Sequence, residues 1–295
     1  MKKNLIFLLV VLCVGYIGYA QSFDETQLLE RLKTLSSDTY EGRRTGEKGN
    51  MLARAYIIKT FKELDIAPFG SRYEHPFTFE AREEVFNATN VLAHVKGTVY
   101  PNTYIVVSAH YDHLGVKDGV IYNGADDDAS GIAALFSFAE YLTKNPPKHT
   151  VILAAFDAEE LGLQGAHYFV DKMKDANILV NLNMDMISRS VKDELYVVGT
   201  PHNKKLKAII DTFENPTSSK VLIGHDGNDD QQDWTTASDH GAFYKEKIPF
   251  LYFGNEDHPG YHDPSDDFDD ITPAFYKNAV QIILSVFIQI DQSGL

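Results

Sequence analysis

Residues 150–162 read TVILAAFDAEELG, a continuous apolar run of strand type that passes directly into acidic residues. Strands that are apolar along their whole length occur where helices cover both faces of a sheet. In open α/β sheets, ligands bind beyond the carboxyl ends of the strands. This stretch therefore indicates an α/β fold, and it marks the acids that follow the strand as candidates for a functional site.

The segments on either side alternate between helix-like and strand-like spacing of apolar residues. The spacing predicts helices over 25–35, 50–64, 130–142, 161–174, 203–213 and 273–290. It predicts further strands over 91–95, 104–109, 178–182, 195–198 and 249–253. This alternation is typical of a three-layer α/β sandwich, in which a largely parallel sheet lies between helices. Without internal repeats or a linker rich in Pro, Gly or Ser, residues 21–295 are expected to form a single domain.

The first twenty residues differ from the rest of the chain. Lys2 and Lys3 precede an apolar run over 5–17, and small residues at 18–20 offer a cleavage site before Gln21. The pattern predicts a signal peptide over 1–20, because an apolar run of about 13 residues is too short for a stable membrane span. A retained anchor helix is the alternative. We therefore expect an exported protein, periplasmic or secreted, without stable membrane insertion after cleavage.

Composition limits the partners of the mature protein. Cys13 is the single cysteine and lies in the predicted signal peptide, so no disulfide is expected. The chain has 27 Lys and Arg against 42 Asp and Glu, a formal net charge of −15. So acidic a surface argues against nucleic acid and anionic membranes as partners. Composition does not indicate an oligomeric state.

Five candidate metal ligands stand where predicted strands give way to turns: His110, Asp127, Glu160, Asp185 and His262. Two imidazoles and three carboxylates suit a borderline cation such as zinc, and one carboxylate can bridge two ions about 3.5–4 Å apart. Without cations, three carboxylates converging in a cleft would repel one another and raise their own pKa values. The sequence therefore predicts a site for two zinc ions.

Two of the segments that carry these ligands offer further chemistry. In HYDHLG, residues 110–115, Asp112 and His110 project to the same side of an extended chain, so Asp112 can accept the second ring N–H of His110. In DAEELG, Glu160 can bind metal while Glu159 stays free to take a proton from water. Acids in a first helical turn are common, so interaction with the helix dipole is the alternative for this pair.

Two other acidic segments leave alternatives open. GADDDASG, residues 124–131, places three consecutive acids before a helix, and helix capping is an alternative for Asp126 and Asp128. Spacing does not decide which of the three acids is a ligand. In NMDMI, residues 183–187, Asp185 stands alone among apolar residues after a strand, where a metal is one partner that could stabilise it.

Other kinds of site are not supported. The acidic loop from Asp226 has Gln231 where a calcium-binding EF-hand loop requires glycine, and Ala237 where that loop requires glutamate. The sequence contains no GxSxG motif, and no cysteine would survive processing. Serine and cysteine nucleophiles of the usual hydrolase types are therefore not expected.

Taken in order, HYDHLG, GADDDASG, DAEELGLQGA, NMDMI, ASDHGAF and GYHDPSDD resemble the signature series of the double-zinc aminopeptidases, the family that also contains glutamate carboxypeptidase and glutaminyl cyclase. The likeness runs from about residue 90 to the C-terminus. SSDTYEGRRTG, residues 36–46, looks like the N-terminal segment of the family. The resemblance implies a mixed, mainly parallel sheet with helices on both faces, and removal of N-terminal residues from peptides with a free N-terminus.

The resemblance also implies a role for each candidate. Asp127 becomes the bridging acid, Glu159 the general acid and base, and Asp112 the carboxylate behind the first histidine. One zinc would then be held by His110, Asp127 and Asp185, and the other by Asp127, Glu160 and His262.

Three alternatives to an aminopeptidase are considered. A glutaminyl cyclase would use the same fold with one zinc. A carboxypeptidase acting on acidic dipeptides would need arginines in the cleft, for which Arg189 is the only nearby candidate in the sequence. Outside the enzymes, the chain could be a binding protein with a relic site.

The region around the cleft is less well defined by the sequence. Asp239 and His240 of ASDHGAF could shape the substrate end or orient a ligand, although helix capping by Ser238 explains the segment nearly as well. Trp234 and Tyr261 are candidates for the lining of the cleft, with ordinary packing as the alternative. The preferred N-terminal side chain is not indicated.

Overall fold

The computed structural model describes residues 23–227 and 230–295. The predicted signal peptide lies outside the described residues. The helices are α1 (Glu25–Leu35), α2 (Lys48–Glu63), α3 (Ser130–Lys144), α4 (Gln164–Lys172), α5 (Lys204–Asp211), α6 (His240–Lys245) and α7 (Pro273–Ser293). The strands are β1 (Ala67–Pro68), β2 (Glu74–Ala81), β3 (Glu84–Val95), β4 (Tyr100–His110), β5 (Gly115–Lys117), β6 (Val120–Tyr122), β7 (His149–Phe156), β8 (Asn177–Met184), β9 (Glu194–Val198), β10 (Lys220–Ile223) and β11 (Phe250–Gly254).

In the described part of the chain, nine strands form one sheet in the order β1-β3-β7-β4-β8-β11-β9-β10, with β2 also paired to β3. The central strands β7, β4, β8 and β11 run parallel to one another. Towards the flanks, β3 is antiparallel to β7, and β9 is antiparallel to β11. The predicted mixed, mainly parallel sheet is confirmed, and its parallel part is the centre.

Strand β7 explains why its sequence is apolar throughout. Leu153 and Ala155 pack into a cluster with residues of α1, α2, α3 and α7, whereas Ile152 and Phe156 pack into a second cluster with residues of α4 and α6. Because successive side chains of a strand point to opposite faces, a strand covered on both sides needs apolar residues at every position. The predicted three-layer arrangement follows from this burial.

Helix α1 has the predicted bounds. Asp24 caps it by accepting the backbone N–H groups of Thr26 and Gln27, and its apolar face is buried. The helix predicted to begin at residue 161 begins instead at Gln164, because Leu163 has a left-handed backbone with φ 59°. Residues 157–163 are thus a loop at the end of β7.

The hairpin of β2 and β3 was predicted only as a short strand over 91–95. Its outer half alternates exposed and partly buried positions, so the apolar signal there is weak. The two residues of its turn, Arg82 and Glu83, both have positive φ, at 51° and 65°. The short elements β1, β5, β6, β10 and α6 were also not predicted. Among the described residues, no helix combines the length and the apolar character needed to cross a membrane.

Candidate metal centre

The parallel centre of the sheet brings the candidate ligands to one edge. His110 is the last residue of β4, Glu160 follows β7, and Asp185 directly follows β8. The loop after β11 carries His262, and Asp127 lies in the turn before α3. Since parallel neighbours end at the same edge of a sheet, residues far apart in sequence converge there.

Asp127 lies between two histidines. Its Oδ1 is 3.2 Å from Nε2 of His110, and its Oδ2 is 3.2 Å from Nε2 of His262. His110 Nε2 also lies 3.5 Å from Oδ1 of Asp185, and His262 Nε2 lies 3.5 Å from Oε2 of Glu160. The structure therefore brings all five predicted residues together, in two groups that share one carboxylate.

His113 also belongs to this centre and was not predicted. Its Nδ1 lies 2.8 Å from Oε1 of Glu160 and 3.6 Å from Oδ2 of Asp127, and its side chain is buried. His113, Asp127 and Glu160 each offer a ligand atom within 4.8 Å of the others. In the sequence, His113 is the second histidine of HYDHLG. Spacing alone did not distinguish it from a histidine of an ordinary polar loop.

Several buried atoms of the centre face one another at ion-pair distances but form no hydrogen bond of suitable geometry among the described residues. They are Nε2 of His110, Nδ1 and Nε2 of His113, Oε1 of Glu160 and Oδ1 of Asp185. Buried polar atoms are nearly always hydrogen-bonded, so a group of unpaired ones that face each other needs a common partner. Imidazole and carboxylate atoms in this arrangement suit zinc.

The pKa shifts of the acids and histidines in the two groups also support a metal site. Despite its burial, the pKa of Asp127 is held well below its usual value by the nearby histidines, His113 first. Hydrogen bonds to Asp127 and Glu160 raise the pKa of His262 to about 10. The raised pKa values of His110 and His262 favour their protonated forms beside the carboxylates, and divalent cations could take the place of these protons.

Glu159 differs from its neighbour Glu160. Burial, followed by the like charges of Asp185 and Asp239, raises the pKa of Glu159 well above its usual value, against the opposing effect of His110. The shift of Glu159 is opposite in direction to those of the acids that face the histidines, since the pKa values of Asp127 and Glu160 are lowered.

The carboxylate of Asp112 does not form the predicted hydrogen bond with the ring of His110. His110 Nδ1 bonds to the backbone carbonyl of Asp112 at 3.1 Å, while the nearer carboxylate oxygen is 3.7 Å away. The carboxylate of Asp112 instead accepts the backbone N–H groups of Glu159 and Glu160, at 3.0 and 3.3 Å. Asp112 therefore fixes the orientation of His110 through its main chain. Through its side chain it holds the loop of residues 157–163, which we call the glutamate loop.

The neighbours of Asp127 have supporting roles. Asp128 accepts the backbone N–H of His110 at 3.1 Å and that of Gly131, in the first turn of α3, at 2.9 Å. Asp126 accepts from Nε2 of His258 at 3.0 Å and thereby ties down the loop that carries His262. The capping alternative fits Asp128, and the geometry leaves Asp127 as the acid that faces both histidines.

Asp239 and His240 are both fully buried. Neither carboxylate oxygen of Asp239 has a hydrogen-bond partner among the described residues, and burial raises the pKa of Asp239 to about 8. His240 bonds through Nε2 to the backbone oxygen of Trp234 at 2.8 Å. Ser238 does not cap α6; its Oγ accepts from Nδ2 of Asn183 instead.

Two cavities adjoin the centre. The first, which we call the cleft cavity, has a volume of about 120 Å³, and Trp234 and Tyr261 contribute to its lining. The second, which we call the basic cavity, has a volume of about 440 Å³ and is lined in part by Arg44, Arg82 and Lys117. The expectation that Arg189 is the only arginine near the cleft was wrong, because the others come from segments distant in sequence.

Known proteins resemble this chain in sequence and in fold. Residues 90–287 match the family model of Peptidase family M28. A probable zinc metalloprotease of Pyrenophora teres f. teres is 30% identical over 213 residues, which cover 66% of this chain and 44% of that protein. Aminopeptidase YwaD of Bacillus subtilis is 28% identical over 190 residues, covering 61% of this chain and 39% of that protein. The chain thus spans about half the length of the curated relatives it matches, or less.

Solved structures show the same fold at low sequence identity. BSAP, a zinc aminopeptidase from Bacillus subtilis, has a TM-score of 0.71 at 16% identity, with 92% of this chain and 96% of that chain covered. Porphyromonas gingivalis glutaminyl cyclase also has a TM-score of 0.71 at 16% identity, with 92% and 100% covered. The resemblance inferred from the signature segments is confirmed: the chain belongs to peptidase family M28, a zinc peptidase family.

Proposed function

We propose that the chain is a two-zinc aminopeptidase that removes N-terminal residues from peptides, and that it acts after export. The observation that carries the proposal is the position of Asp127, whose two carboxylate oxygens each lie 3.2 Å from a different histidine. A carboxylate that faces one imidazole on each side suits a bridge between two ions better than a ligand of one ion.

The proposed ligand sets follow the two groups. His110, Asp127 and Asp185 would hold one zinc, and Asp127, Glu160 and His262 the other. When bound, such ions polarise a carbonyl group and lower the pKa of water from 15.7 to about 7. His113, which touches the second group, would complete or support the set around Glu160.

Glu159 is the residue that would move the proton. Its backbone N–H donates to the carboxylate of Asp112 at 3.0 Å, and its side chain lies close to those of His110 and Asp185, so the glutamate is held beside the proposed metal ligands. From this position its carboxylate would accept a proton from the attacking water and pass it to the departing amine, and the direction of its pKa shift favours uptake of that proton. Asp112 thus acts as a positioning residue for this step.

The free amino group of the substrate would lie on the carboxylate side of the centre. Glu159 and Asp185 both line the cleft cavity, and their carboxyl oxygens can accept hydrogen bonds from an ammonium group there. The cleft cavity, at about 120 Å³, is smaller than the basic cavity, at about 440 Å³, and this supports the N-terminal residue as the part of the substrate that it holds.

Glutaminyl cyclization on one zinc is the second candidate, because the fold is as similar to a cyclase as to an aminopeptidase. The bridging position of Asp127 favours the two-zinc hydrolase. A panel of aminoacyl chromogenic substrates, assayed with and without a chelator, tests the proposal together with an N-acetylated control and an N-terminal glutaminyl peptide.

We expect hydrolysis of the free aminoacyl substrates, loss of activity with the chelator, recovery on addition of zinc, and no cleavage of the N-acetylated control. Equal cleavage of the N-acetylated substrate would contradict aminopeptidase activity. Cyclization of the glutaminyl peptide without hydrolysis of the other substrates would favour the cyclase.

A further inference from the structure

The basic cavity meets the cleft cavity at the metal centre. Glu160 and His262 line both cavities, so a ligand that passes over these two residues would enter one cavity at each end. The cleft cavity has Glu159 and Asp185 in its lining, whereas the basic cavity has three cationic side chains. The two ends of the combined site therefore differ in charge.

Three separate elements supply the cations of the basic cavity. Arg44 follows a short 3-10 helical segment, Arg82 lies in the turn between β2 and β3, and Lys117 ends β5. Three cations at one cavity stand out in a chain with a formal net charge of −15. Their convergence comes from the fold, because no two of them are neighbours in sequence.

These cations are available to a ligand. Arg44 pairs with Glu47 at 3.2 Å, but both side chains are more than 40% exposed, and such pairs contribute little. Within the ranges that the structure describes, neither Arg82 nor Lys117 forms a salt bridge, and the ammonium group of Lys117 lies over the ring of Tyr122 at 4.7 Å from its centroid. The acids of the cavity, Asp112 and Glu160, are already engaged with the glutamate loop and the histidines.

The wall that carries Arg44 is held firmly against the metal centre. The preceding residue, Arg43, is fully buried and donates to the backbone oxygens of Tyr111 and Gly124, at 2.9 and 2.8 Å. The following residue, Thr45, donates to the carboxylate of Asp112 at 3.2 Å. The backbone of Arg44 is thus held between two anchors beside the metal centre and the glutamate loop.

We propose that the basic cavity binds a carboxylate group on the departing part of the peptide substrate. The inference rests on the proposed aminopeptidase function and adds a substrate class to it. The free ammonium group lies towards Glu159 and Asp185, the scissile bond lies over the centre, and the carboxylate lies among Arg44, Arg82 and Lys117. Charge-assisted bonds from guanidinium groups make such a site selective for anions.

The carboxylate has two possible sources: the C-terminus of a short peptide, or an acidic side chain just after the scissile bond. A set of four peptides separates them: Leu-Ala-Ala, its C-terminal amide, Leu-Glu-Ala amide and Leu-Gln-Ala amide. The measured quantity is kcat/KM for release of leucine. We expect about a tenfold preference for the charged member of at least one pair, which falls at high salt.

The double variant Arg82→Gln with Lys117→Gln should reduce that preference to about twofold or less, because two of the three cations are removed. Arg72→Gln is the matched control, since Arg72 is an exposed arginine that lines neither cavity, and the preference should persist in it. Circular dichroism and zinc content confirm that each variant is folded.

The outcomes separate this inference from the proposed function. A preference for the free acid over its amide assigns the C-terminal source, and a preference for Glu over Gln assigns the side-chain source. Equal kcat/KM within both pairs, in wild-type protein that cleaves leucine from all four, would overturn the basic cavity while leaving the aminopeptidase intact. Failure to cleave any peptide or aminoacyl substrate would instead overturn the function itself.

Discussion

Two buried polar regions lie side by side at the end of β7. They differ in whether their buried polar atoms form hydrogen bonds. Asp157 accepts hydrogen bonds from the backbone N–H groups of Thr89 and Ala158 and from Nδ2 of Asn50, and the hydroxyls of Thr45 and Tyr111 both lie 3.0 Å from its carboxylate. We call these residues the Asp157 network. The candidate metal centre, only a few residues further on, leaves buried atoms of His110, His113, Glu160 and Asp185 without a well-oriented hydrogen bond within the described structure.

The two regions together show how a buried acid can be assigned a role. Burial is common to both regions, so burial alone does not separate structure from function. A satisfied acid such as Asp157 stabilises the fold, whereas a group of unsatisfied acids and histidines requires a partner from outside the chain. Substitutions on either side of this contrast put it to the test.

The largest effect is expected for Glu159→Gln. The amide cannot take a proton, so turnover should fall by roughly 10²–10⁴-fold. The fold and the zinc content should stay unchanged, since Glu159 is not one of the proposed ligands. Steady-state kinetics with an aminoacyl substrate and metal analysis provide the test, and near-normal turnover would refute the role of Glu159.

On the structural side of the contrast, Asp157→Ala should destabilise the protein by about 3 kcal/mol or more, because several buried donors lose their acceptor together. Zinc bound per folded chain should change little. Chemical denaturation measures the loss of stability. Loss of zinc without loss of stability would place Asp157 in the metal centre and remove the contrast.

Titration of His240 should make the free energy of unfolding depend on pH, by up to about 3 kcal/mol. Burial lowers the pKa of His240 from its ordinary value of 6.5, which applies to the unfolded chain, to about 4 in the folded protein. Between these values the unfolded chain binds a proton that the folded protein does not, so stability falls as the pH falls from about 6.5 to about 4. The variant His240→Gln should have a weaker dependence over this range.

Denaturation of wild-type protein and of His240→Gln at a series of pH values provides the comparison. Other acids titrate equally in both proteins, so the difference between the two curves isolates His240. Parallel curves from pH 6.5 to pH 4 would contradict the assignment.

The smallest effect is expected for Tyr111→Phe. The Tyr111 hydroxyl donates to the backbone oxygen of Thr89 at 2.7 Å and lies 3.0 Å from Asp157. Its removal should cost about 1 kcal/mol, because the ring stays in place and only the hydrogen bond is lost. Thermal unfolding measures the change, and a stability equal to that of wild type would show that the hydroxyl contributes nothing.

Much of the fold could be predicted from the sequence. The apolar run of β7 indicated a sheet covered on both faces, and helix α1 was predicted with its observed bounds. These features depend on local apolar spacing, which a sequence displays directly. The β2–β3 hairpin was mostly missed, because half of it is exposed and its turn uses Arg82 and Glu83 rather than residues typical of turns.

The residues of the candidate site were predicted only in part. The five candidate ligands stand in segments that resemble a known family, and the structure places them together. His113 was missed because its role depends on contact with Glu160, which is distant in sequence. The sequence also did not distinguish the structural role of Asp157 from the proposed metal-binding role of Glu160. Both acids belong to one short motif, and only their hydrogen bonds differ.

The central claim is that the carboxylate of Asp127 bridges two zinc ions. Anomalous diffraction at the zinc edge, from crystals of active protein grown with zinc, tests it most directly. We expect two peaks about 3.5–4 Å apart, one on the His110 side of Asp127 and one on the His262 side. A single peak in fully active protein, or zinc bound away from Asp127, would contradict it.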